Sequence, residues 1–168
     1  MTDTTAGAHF DSETAASRAS AFVYGNILVL AALVALSPGQ LTTGRDVAYV
    51  LGTGLSTFIA HVVGESVGDR IRHGNASGVR FRAHVRNSVP IASSASVPAA
   101  LLAAAWIGWA PGDVALASAQ TYTIGRVAFL GTVIGHYHGD RSVRATFAGV
   151  ALAAVCAVAA AIKWLLTH

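Results

Sequence analysis

The sequence predicts an all-α integral membrane protein with five transmembrane helices. Hydrophobic residues make up 54% of the 168 residues and charged residues 11%, with a mean hydropathy of +0.56. An ordinary soluble domain carries about 25% charge. Apolar stretches recur near 19–37, 47–68, 89–110, 114–135 and 143–166. Each has roughly the 20 residues that a helix needs to cross a hydrocarbon core of about 30 Å. Apolar residues run continuously through them instead of alternating, which disfavours barrel strands and favours helices, where every backbone group pairs within its own segment.

The first 18 residues, MTDTTAGAHFDSETAASR, are polar and acidic and lack helical periodicity. They predict a disordered cytoplasmic tail in which His9 is solvated, followed by one five-helix domain over 19–168. Because that tail has no basic region and more spans follow, the first apolar stretch reads as a retained helix, not a cleaved signal. The second span, VAYVLGTGLSTFIAHVVGESVG, and the third, IASSASVPAALLAAAWIGWA, are rich in small residues, as is the fifth, FAGVALAAVCAVAAA. Small residues let helix backbones approach closely, and Gly52, Gly54, Gly64 and Gly68 are expected to pack first and to hinge only secondarily. Pro98 predicts a kink in the third span, or a carbonyl freed for a neighbour to satisfy. Cys156 is the only cysteine, so no disulfide forms within the chain, and a small packing residue is expected there.

Orientation follows from arginine bias in the short links. The link DRIRHGNASGVRFRAHVRNS carries Arg70, Arg72, Arg80, Arg82 and Arg86 against Asp69, and HYHGDRSVR carries Arg141 and Arg144 against Asp140. Both are expected on the cytoplasmic side of the inner (plasma) membrane, with the N-terminus inside and the C-terminus outside. Trp106, Trp109 and Trp164 then fall near the outer interface, where indole rings prefer to sit. His73 and His84 are assigned to the basic link, adding positive charge near lipid headgroups. His136 and His138, two residues apart at a helix end, do not share a helical face and read as interfacial side chains. The bilayer is thus the expected partner; the sequence pI of 9.5 follows from topology and does not imply nucleic-acid binding. Outside the membrane-embedded polar residues, the chain has no acidic pair, no activated Ser or Cys arrangement and no Gly-rich phosphate loop followed by Lys. An enzyme is therefore not expected.

Ionisable groups inside a bilayer cost a few kcal/mol or more and are usually paired, often at functional sites. His61 and Glu65 stand at i and i+4 on the second helix and share a face, while Arg126 lies mid-span in TYTIGRVAFLG. At about 1.5 Å per residue from the cytoplasmic ends, His61 and Asn26 lie about 10 Å deep, Arg126 about 13 Å and Glu65 about 5 Å. The four are expected to meet on one level. Three arrangements fit. Arg126 and Glu65 form a structural ion pair with His61 and Asn26 hydrogen-bonded beside it. Alternatively, His61 and Glu65 line a cation path suited to a first-row divalent ion, a symmetric dimer supplying four ligands. This path requires Arg126 to point elsewhere or to act as a gate. In the third, Arg126 contacts an anion or substrate.

In order, these segments resemble the transmembrane part of the vacuolar iron transporter (VIT-like) family. The resemblance is carried by VYG (23–25), by HVVGES (61–66) and by FLGTVIGHYHGDRSVRATFAGVALAAVCAVAAAIKWLL (129–166), and it loosely covers 20–166. It implies a five-helix protomer and a homodimer with its pathway on the two-fold axis. It also implies export of Fe(II) or Mn(II) from the cytosol in exchange for protons, with the metal as cargo and no resident cofactor. Glu65 matches the family's second-helix glutamate, and His61 stands where the family has methionine. The chain departs from the family in two further places. Asn26 is the nearest polar residue to the position of the first-helix aspartate, and a short basic link replaces the glutamate-rich cytoplasmic metal-binding domain. The alternative is a non-transporting membrane scaffold or accessory subunit held by an Arg126–Glu65 ion pair.

Overall fold

The computed structural model describes residues 4–37, 44–74 and 78–137, with Ala154, Val158, Ala161 and Ile162 further on. All secondary structure among the described residues is helical: α1 (Thr4–Val34), α2 (Arg45–His73), α3 (Gly78–Ser94), α4 (Ser96–Trp106) and α5 (Gly112–Tyr137). Among the described residues, three segments are long and apolar enough to cross a membrane: Thr14–Val34, Arg45–Arg72, and Arg80–Trp106 across α3 and α4. The fifth expected span lies outside the described residues apart from those four helical positions, as do the assignments made for His138, Cys156 and Trp164.

Two boundaries differ from expectation. Residues assigned to a disordered tail are helical from Thr4, so α1 is 31 residues long. Alanine is the best helix former, and Ala6, Ala8, Ala15, Ala16 and Ala19 extend a helix already nucleated by the apolar span. The basic link is likewise mostly helical. Arg70 and Arg72 end α2, while Arg80, Arg82 and Arg86 belong to α3. The turn between them starts at Gly74, whose φ of 75° is open to glycine and whose N–H donates to Arg70 O at 2.9 Å, closing α2.

The expected kink is a break at Ala95 between α3 and α4. Pro98 has no N–H to offer the carbonyl of Ser94 four residues back, and its ring crowds that carbonyl. One residue further back, Ser93 O accepts Ser96 Oγ at 2.8 Å and an Arg126 guanidinium N–H at 3.3 Å from α5.

The core is a seam of Val29 and Leu33 (α1), Val50 (α2), Ala95, Ala99 and Leu102 (at and along α4), and Leu116 and Ala119 (α5). α1 is central, packing on α2, α3 and α5. It approaches α3 closely at Gly25, where an added Cβ would sit 2.8 Å from Ile91 Cα. The four α2 glycines divide. Gly54 packs on the break, 2.7 Å from Ala95 Cβ by the same construction, whereas Gly52 and Gly64 face open space and Gly68 meets only the Arg72 guanidinium.

The outer surface is apolar where lipid would lie. Leu55, Ile59, Val63 and Val67, spaced by four along α2, are each more than half exposed. A soluble monomer rarely shows such a continuous ridge. Trp106 is also exposed and lies against Gly44, so α2 begins at the end of the bundle where α4 finishes.

Candidate functional site

Residues two apart on a helix point to nearly opposite sides, so the exposed row of α2 has a polar counterpart behind it: Thr57, His61, Glu65 and Asp69. Thr57 and Asp69 are buried, His61 and Glu65 half-buried. α3 meets this row with His84 and Arg80, also four apart. His84 Nε2 lies 3.4 Å from Asp69 Oδ2 at hydrogen-bond distance, and His84 Nδ1 lies 3.9 Å from Glu65 Oε2, close enough for charge attraction but not for a hydrogen bond. Arg80 Nη1 reaches Asp69 Oδ2 at 3.8 Å. Imidazole thus bridges two carboxylates one turn apart, with a guanidinium at the end of the chain of contacts. The side chains of Asp69 and His84 are only 12% and 17% exposed, against 38% for Glu65, whose carboxylate reaches the bundle surface.

One turn further in, the His61 ring faces Tyr24 of α1, with centroids 6.4 Å apart and planes tilted by 33°. Asn26 is fully buried on α1. Its Nδ2 donates to Phe22 O at 2.7 Å, and its Oδ1 has no partner among the described residues.

Arg126 is held apart from the α2 row. Its guanidinium carbon stands 4.6 Å over the Phe22 ring and 5.8 Å from that of Tyr122, and one N–H reaches Ser93 O. Stacking on aromatic faces satisfies this weakly hydrated cation, which pairs with no carboxylate among the described residues. Among the described residues no hydrogen bond or ion pair joins Asn26, His61, Glu65 and Arg126 to one another. The expected Arg126–Glu65 pair therefore does not form within the chain. Residue counting gives position along a helix but not azimuth: Arg126 faces α1 and the α3–α4 break, while Glu65 faces α3.

Sequence reasoning missed Asp69 and His84, both assigned to a loop. The signal was present: Asp69 continues the four-residue spacing of His61 and Glu65, and no proline separates it from them. Imidazole and carboxylate suit a first-row divalent ion. Among the described residues, however, no group of three or more His, Cys, Asp or Glu converges on one metal position. His84 directs its two nitrogens to different carboxylates, and His61 and Glu65 are two ligands only.

Compared with known proteins, the chain matches no family model, no curated relative and no solved structure.

Proposed function

We propose that this chain is a five-span protein of the inner membrane, N-terminus cytoplasmic, that as a homodimer carries a divalent cation such as Fe(II) or Mn(II) across the bilayer in a VIT-like manner, coupled to protons. The observation that carries this reading is the polar row His61–Glu65–Asp69 on a membrane-capable helix, combined with an Arg126 that is directed away from it. A guanidinium beside Glu65 would repel a divalent cation; over Phe22 it does not oppose one at that carboxylate. A second copy is supported by the exposure of Glu65. A carboxylate reaching the surface of a bilayer-embedded bundle is costly against lipid, whereas a two-fold axis beside it gathers two imidazoles and two carboxylates into a four-ligand site.

The test is Fe(II) and Mn(II) uptake into proteoliposomes under a proton gradient of either sign. The parent should transport, and His61→Ala and Glu65→Gln should each abolish metal flux without dissociating the dimer. Full flux in both variants would refute the site.

A second reading, the non-transporting scaffold or accessory subunit, is favoured by internal satisfaction of charge. Glu65 and Asp69 share His84, Asp69 also meets Arg80, and Arg126 has Ser93 O and two rings. Absence of metal flux in the folded parent would decide for it.

A further inference from the structure

Independently of what crosses the bilayer, the α2–α3 junction carries a second feature. Beside the Asp69–His84 contact lies an open groove of about 270 Å³, lined by Val63, Val67 and Arg70 of α2 and by Arg80, Phe81 and His84 of α3. We propose that this groove binds one anionic phospholipid, its phosphate held by Arg70 and Arg80 and an acyl chain lying along Val63 and Val67.

Position is the first ground. The two apolar spans that form the groove end at Arg72 and begin at Arg80, so its basic end stands at the membrane boundary and its apolar wall continues into the span. A lipid presents the same order: charge at the boundary, hydrocarbon below. Charge is the second ground. The groove holds two arginines against one carboxylate, Asp69, which is engaged with His84 and Arg80 on the floor. At 3.8 Å the Arg80–Asp69 contact is longer than a charge-assisted hydrogen bond. Exposure is the third. Val63, Val67 and Phe81 are each about half exposed, forming an apolar surface that a soluble metabolite would leave wet and an acyl chain would cover.

Detergent-solubilised full-length protein is titrated with phosphatidylglycerol, phosphatidylcholine or inorganic phosphate, and bound adducts are counted by native mass spectrometry. Phosphatidylglycerol should give a 1:1 adduct at concentrations where phosphatidylcholine gives little. Each arginine near an anionic surface contributes roughly a fivefold change in binding, so Arg70→Gln with Arg80→Gln should weaken the adduct roughly 30-fold. Arg70→Gln alone leaves the Asp69–Arg80 contact in place, guards against loss of fold, and should weaken binding roughly fivefold. Arg45→Gln, at the opposite end of α2, is the control and should bind like the parent. The proposal is overturned if the two lipids bind equally, if the Arg45 variant loses as much as the Arg70 variant, or if inorganic phosphate alone binds as tightly as phosphatidylglycerol. That last outcome would assign the arginines to a free anion.

Discussion

Replacing Arg126 separates the two accounts of how this chain holds a cation inside the membrane. Were Arg126 locked to Glu65 in a buried ion pair, removing one partner would strand the other charge, at a cost of about 3–5 kcal/mol. The observed surroundings give a smaller figure. A guanidinium 4.6 Å over Phe22 in a half-buried position contributes about 1 kcal/mol, within the range of about 0.5–2 for cation–π contacts, and the Tyr122 ring at 5.8 Å lies near the limit of the effect. The N–H to Ser93 O is long at 3.3 Å, and Ser96 Oγ still satisfies that carbonyl at 2.8 Å when Arg126 is gone, so no buried acceptor is orphaned. Arg126→Leu should therefore destabilise the protein by only about 1–2 kcal/mol, part of it returned by no longer placing a cation in the bundle. The assay is a double-mutant cycle on reversible unfolding in mixed micelles, with Phe22→Leu and Glu65→Gln as the two alternative partners. Coupling of about 1 kcal/mol is expected between Arg126 and Phe22, and none beyond error between Arg126 and Glu65. A cost above about 3 kcal/mol for the single variant, with coupling to Glu65, would refute this reasoning and restore the ion pair, within a protomer or across a dimer.

Two further predictions concern packing and orientation. Gly25→Ala should destabilise by about 1–3 kcal/mol, because its Cβ meets α3 backbone at 2.8 Å, whereas Gly64→Ala, facing open space, should be neutral or slightly stabilising. Equal melting temperatures for the two would contradict the α1–α3 contact. A cysteine replacing Arg82 should react with an impermeant thiol reagent only from the cytoplasmic side, and one replacing Asp113 only from the opposite side; the reverse pattern would invert the orientation.

Membrane class was legible in the sequence because it depends on additive local quantities, hydropathy and length. The kink near Pro98 was legible for a related reason: a missing N–H disrupts the backbone at a fixed offset wherever the helix lies. Helix ends were less so. Arginine carries helix propensity as well as charge, so the segment that composition marked as a link continues α2 and opens α3. Partner choice was not legible at all. Counting along a helix places His61, Glu65 and Arg126 along their axes, but whether two side chains at one level touch depends on how each helix is rotated about its axis. That rotation is set by packing between helices, including the close approach of Gly25 to Ile91 and of Gly54 to Ala95. Those contacts face Arg126 toward Phe22 and the Ser93 carbonyl, and set Glu65 and Asp69 against His84.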